Sequence, residues 1–65
     1  MNVMVKKMLI IVVNYKTEEE AIRAAIRFDG YFVKNWMFDL VQGEPVLEDF
    51  VMKAYDAKRA RMLYK

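Results

Sequence analysis

Sixty-five residues and 7.8 kDa leave room for one domain, residues 1–65, because separate cores arise only in chains several times longer. An apolar fraction of 57% excludes a disordered tail, and a net charge of +2 is too small to attract polyanions generally unless the charges segregate. The chain contains no Cys, no His and no Ser, which removes disulfides, thiolate zinc sites, imidazole catalysis and serine nucleophiles.

Residues 3–15 are rich in Val, Ile and Tyr, and from Met8 onward both alternating faces are apolar, as in a central strand covered on two sides. Lys6 and Lys7 fall on opposite faces of that strand, which places its first half near an edge or solvent. The longest apolar run, Met8 to Val13, has six residues, whereas a bilayer span needs about 20, so no membrane segment is expected. Lys6-Lys7 ahead of that run imitates a secretory signal. Asn14-Tyr15-Lys16 offers no small-residue cleavage site, however, and a cytoplasmic location is the expectation.

Thr17-Glu18-Glu19-Glu20 predicts a helix start, with the Thr17 hydroxyl accepting from the Glu20 amide and the three acids complementing the positive end of the helix dipole. The helix runs to Phe28 with Ile22, Ala25 and Ile26 on one face, and Asp29-Gly30 is its left-handed stop. Residues 31–41 support two readings. Phe32, Val33, Trp36, Met37, Leu40 and Val41 have helical spacing, whereas the aromatic and β-branched content and the alternation of Phe32, Trp36, Phe38 and Leu40 suit a strand. A lone first strand would leave its backbone groups unpaired, so a second strand is preferred; a dimer whose first strands pair with each other would reverse that choice.

Gln42-Gly43-Glu44-Pro45 is a break, and Pro45 suits the first position of a helix. A long helix is predicted from Val46 to about Leu63, with Leu47, Phe50, Val51, Ala54 and Ala57 buried and Asp49 four residues before Lys53. The expected fold is a small α+β domain in β-α-β-α order with a long C-terminal helix. The alternative is β-α-α-α with strands pairing across a dimer. Below about 70–80 residues one core rarely supplies more than about 3–5 kcal/mol. With neither Cys nor His to staple it, this chain is expected to associate with itself or with a partner.

Charge is unevenly placed, at +3 over residues 1–16, −2 over 17–30, −3 over 31–52 and +4 over 53–65. The basic end interleaves its cations with Tyr55, Met62, Leu63 and Tyr64. Such a surface would hold phosphates and stack bases, or it would merely complement the negative end of a helix dipole. Asp39, Glu44, Glu48 and Asp49 make an acidic middle, read mainly as helix-start charge around Pro45. Arg23 and Arg27 with Glu20 form a solvated stripe on the first helix. Tyr31, Phe32, Trp36 and Phe38 form the densest aromatic cluster. If residues 31–41 were one strand, Tyr31, Val33, Met37 and Val41 would face away from Phe32, Trp36, Phe38 and Leu40, leaving one face free to bind.

Little remains for bond-making chemistry. Thr17 is used as a cap, Glu18 to Glu20 point around a helix, and Glu44, Glu48 and Asp49 fall short of a magnesium site. Gly30 and Gly43 are the only glycines and make no phosphate-cradling loop. No enzymatic activity, metal or cofactor is expected.

The strand, capped Glu-Glu-Ala helix, Gly and strand layout from Ile11 to Val41 resembles that of many short bacterial and phage proteins. Among these are small phage-encoded inhibitors that bind host enzymes such as RNA polymerase. The resemblance implies an inhibitor acting by protein contact and assigns no functional residue.

The expected function is that of a small non-enzymatic protein-binding module, a regulator or inhibitor that also self-associates. Its contact residues would be Tyr31, Val33, Met37, Arg59, Arg61 and Tyr64. An alternative is an RNA or single-stranded nucleic-acid binder using Lys53, Lys58, Arg59, Arg61 and Lys65 with Lys6 and Lys7. A third reading is a structural subunit of a larger assembly.

Overall fold

The computed structural model describes residues 2–63, so the predicted contacts Tyr64 and Lys65 lie outside the described residues. The chain folds into a five-stranded antiparallel sheet with helices on both faces. The elements are β1 (Asn2–Val5), β2 (Met8–Asn14), α1 (Glu18–Phe28), β3 (Tyr31–Val33), β4 (Trp36–Asp39), α2 (Pro45–Tyr55), β5 (Lys58–Arg59) and α3 (Ala60–Leu63). The spatial order is β1-β2-β4-β3-β5. The α+β class is as expected; several elements inside it are not.

The single strand expected over residues 3–15 is a hairpin. Lys6 and Lys7 take φ of 49° and 67°, the left-handed pair of a type I′ turn, and β1 folds back on β2 with Val5 opposite Met8. Type I′ turns normally announce themselves with Asn-Gly or Asp-Gly, so two lysines carry no such signal. Beyond the turn, β2 buries Ile10 and Val12 on one face, and Ile11 and Val13 are half-buried on the other. Its first residues, Met8 and Leu9, remain exposed.

Helix α1 follows the sequence closely. The Thr17 Oγ1 accepts from the Glu20 N–H at 3.2 Å, and Asp29 ends the helix at φ 56°. Asp29-Gly30 is the expected left-handed stop, with the Gly30 N–H donating to the Ala25 carbonyl at 2.7 Å, and Gly30 has a second reason to lack a side chain: a Cβ there would stand 2.6 Å from the Phe38 carbonyl oxygen of β4. Buried Ala21 and Ala25 let the helix backbone approach the sheet, where Phe32 and Met37 receive it.

Residues 31–41 are neither one strand nor a helix but a second hairpin, with Lys34 left-handed at φ 53° and Tyr31 opposite Phe38. This register puts Tyr31, Val33, Trp36 and Phe38 on the α2 face and Phe32 and Met37 on the α1 face. Strand β4 lies between β2 and β3, so β2, α1 and β3 form a crossover split by one antiparallel strand.

The long C-terminal helix is also corrected. Helix α2 stops at Tyr55, where Asp56 turns left-handed at φ 57° and the Ala57 N–H donates to the Val51 carbonyl at 3.1 Å. Leu47 and Val51 are buried as expected, Phe50 is half-buried, and Ala54 is exposed. Ala57 is buried beyond the helix. The chain then adds β5 beside β3 and closes with α3, whose Ala60 packs against α1.

Candidate functional site

The binding surface expected at Tyr31, Val33 and Met37 does not exist as one exposed face. Tyr31 is 4% exposed and Met37 2%, and they sit on opposite sides of the sheet because the chain reverses at Lys34. The Tyr31 hydroxyl donates to the Glu48 Oε2 at 2.9 Å. Burial, reinforced by that carboxylate, pushes its pKa up to about 12.

Arg59 and Arg61 both bond to the protein's own groups, Arg59 half-buried and Arg61 with its side chain still 54% exposed. Arg59 grips the Asp29 carboxylate with two hydrogen bonds, Nε to Oδ1 at 3.0 Å and Nη2 to Oδ2 at 2.6 Å. Its Nη1 stands 3.9 Å from Glu48. The guanidinium holds the Asp29 pKa below its ordinary value, mainly through the hydrogen bonds. Arg61 donates its Nε to the Ile26 carbonyl at 2.8 Å, capping the C-terminal end of α1. Together they fasten β5 and α3 to α1.

The remaining cations are dispersed. Lys6 and Lys53 line one shallow depression, where Lys53 pairs with Asp49 at 3.2 Å, while Lys58 lines another with Lys34. Lys7 sits at the tip of the first hairpin. The six of the seven candidate nucleic-acid contacts that lie among the described residues, Lys6, Lys7, Lys53, Lys58, Arg59 and Arg61, therefore do not make one stripe, and Lys65 lies outside the described residues. On α1, Arg23 pairs with Glu19 at 2.6 Å and Arg27 lies over the Phe28 ring. In the acidic middle, Asp39 accepts from the Leu40 N–H and from Gln42. Among the described residues no group of three or more metal-capable side chains forms, and no helix is long and apolar enough to cross a membrane.

What the fold does expose is apolar. Between α2 and the sheet lies a cleft of about 230 Å³ lined by Val3, Val33, Trp36, Phe38, Phe50 and Tyr55, among others. Trp36 is 36% exposed and Tyr55 49%, with the Tyr55 ring stacked on Phe38 at 5.4 Å. Small-molecule sites usually run from about 300 to 1,000 Å³, so this volume suits an inserted side chain better than a cofactor. Of the six predicted contact residues, Val33 lines this cleft. Trp36 and Tyr55 are additions that the sequence signals only as aromatic content.

The cleft adjoins the edge of the sheet, because Val3 of β1 belongs to both. Strand β1 reads Asn-Val-Met-Val, with no charge, no proline and four consecutive pairs to β2 without a bulge. Charges, prolines and bulges are the devices by which sheet edges are normally protected, and β1 carries none of them. The opposite edge, β5, has two residues, both cationic. Met4, 63% exposed, and Leu9 add apolar surface beside β1, and Leu40, left-handed at φ 64°, lies with Met8 and Leu9 along one shallow groove. Comparison of the chain with family models, curated proteins and solved structures finds no match.

Proposed function

We propose that this protein is a non-enzymatic protein-binding module, a cytoplasmic regulator or inhibitor that docks its partner at the β1 side of the sheet. The observation that carries this reading is an unprotected sheet edge sharing Val3 with an apolar cleft that has exposed aromatics at its rim. An extended segment adding to an edge gains main-chain hydrogen bonds, and a neighbouring pocket for one of its side chains confers specificity. Trp36 and Tyr55 are the residue types that dominate interface energetics.

Filling the cleft tests the proposal. Val33→Trp is expected to abolish affinity capture of the partner while leaving the far-UV circular dichroism spectrum intact. Capture unchanged by this substitution, with the fold preserved, refutes docking at the cleft. Binding that instead followed salt concentration on a mixed oligonucleotide, and weakened on Lys6→Glu with Lys53→Glu, would establish the nucleic-acid reading in its place.

A further inference from the structure

We infer that the segment that adds to β1 is β1 of a second copy, joining two five-stranded sheets into one across a two-fold axis at Val3. This rests on the reading of the β1 edge as a docking surface and names its occupant. A two-residue loop closes on a hydrogen-bonded pair, here Val5 with Met8, and such pairs alternate along an antiparallel ladder. Val3 and Val5 therefore direct their N–H and C=O groups toward β2, and Asn2 and Met4 direct theirs outward.

A two-fold axis at Val3 sets Asn2 opposite Met4 of the second copy and Met4 opposite its Asn2. All four outward-directed groups of each strand then pair, and none is left over. Val3 meets Val3 of the second copy on the α2 face, as a non-hydrogen-bonded pair whose side chains stand about 5 Å apart.

Charge permits this arrangement and distinguishes it from a parallel or shifted one. The strand itself is neutral, and the cationic Lys6-Lys7 tips lie at opposite ends of the joined pair. Three residues on either side of the axis at about 3.3 Å each separate them by about 20 Å, roughly twice the screening length at 0.1 M salt. The other edge, β5, carries Lys58 and Arg59 and would set like charges against each other in any self-pairing.

Size supplies the thermodynamic reason. A chain of 65 residues without Cys or His has neither disulfide nor metal staple, and extending the sheet adds hydrogen bonds and burial that one copy lacks. A standard interface takes about 800 Å² from each partner, under a fifth of the 4507 Å² of accessible surface. The edge carries exposed Met4 and Leu9 on one face and half-buried Phe50 on the other, apolar surface that the joined sheet would cover.

Sedimentation equilibrium of the full chain is expected to give twice the 7.8 kDa monomer mass. Two charged variants make the test specific. Asn2→Lys with Met4→Lys, and separately Asn2→Glu with Met4→Glu, should each sediment as folded monomers, and mixing them one to one should restore the doubled mass. Met4→Pro, which removes only an outward-directed N–H, should also give a monomer. A wild-type chain that stays monomeric up to about 1 mM, that forms an open series of larger species, or whose charged variants fail to recombine overturns the inference. A monomer that still captures a different protein through the cleft would overturn the inference and leave the proposed function standing, whereas a dimer whose capture of a different protein is unchanged by Val33→Trp would support the inference and remove docking at the cleft.

Discussion

Among the described residues, six other than glycine hold positive φ, and each marks a point where the chain reverses or an element ends. Lys6 and Lys7 are the most costly pair, because two consecutive left-handed lysines are stabilised by neither a side-chain cap nor the absence of a Cβ. Lys7→Gly is expected to stabilise the fold by about 1 kcal/mol, raising Tm by about 4–8 °C in a domain of this size, measured by thermal denaturation. Gly30 shows the reverse. Its neighbour across the space a Cβ would occupy is the Phe38 carbonyl, which is held in the β4 ladder and cannot swing away. Gly30→Ala should destabilise by about 1–3 kcal/mol in chemical denaturation, with the apolar core otherwise unchanged.

Helices α1 and α2 end in the same way. Phe28-Asp29-Gly30 and Tyr55-Asp56-Ala57 each place an aspartate in the left-handed conformation, after which the chain returns to the sheet. The first stop was legible because glycine follows; the second was hidden because alanine continues a helical pattern equally well, and burial of Ala57 decides it. What holds the segment after α2 in place is Arg59 on Asp29. Removing it in Arg59→Ala strands a carboxylate beside Glu48 and should cost about 1–2 kcal/mol, moderated because the Arg59 side chain is 34% exposed. Arg59→Lys should recover only part, since an ammonium lacks the two-pronged geometry. The pH dependence has a definite sign. Asp29 binds its proton more weakly folded than unfolded, so its contribution is complete above the ordinary carboxylate value of 3.8 and disappears as pH falls below it. Acid titration of stability should therefore be shallower over that range in Arg59→Ala than in the parent chain.

The molecule as a whole is a sheet whose two faces have separate cores. One is formed with α2 around Ile10, Val12, Phe38, Leu47 and Val51, the other with α1 around Ala25, Phe32, Met37 and Ala60. Strands β2 and β4 are flanked on both sides, whereas β1 and β5 are edges. Native-state hydrogen exchange should find the slowest amides in Ile10 to Val13 and Met37 to Phe38. Lys58 to Leu63 should exchange through local opening well below the global free energy, because the attachment is short and its ion pairs are partly solvated. Uniform protection across the chain would contradict this layering. The same layering explains the exposed apolar surface: α1 packs on β3 and β4, so Met4 and Leu9 on that face of the first hairpin stay uncovered.

Local chemistry sufficed for the α+β class, for helix α1 with its Thr17 cap, for the break at Pro45 and for the Leu47 and Val51 face of α2. Each of these depends on neighbours within a turn or two along the chain. The two hairpins, the stop at Asp56 and the bonding of Arg59 and Arg61 to the protein's own groups depended on contacts between distant residues. Tyr31 suits an exposed strand face by sequence but is core because its face is set by pairing with Phe38. The arginines have the spacing of a free basic helix but bond to Asp29 and the α1 carbonyls, 30 or more positions earlier in the chain. Turn conformation without glycine and ion pairing across such separations leave no periodic signature. Strand parity changes with one reversal of the chain, and so the surface left for binding emerges only when the sheet is assembled.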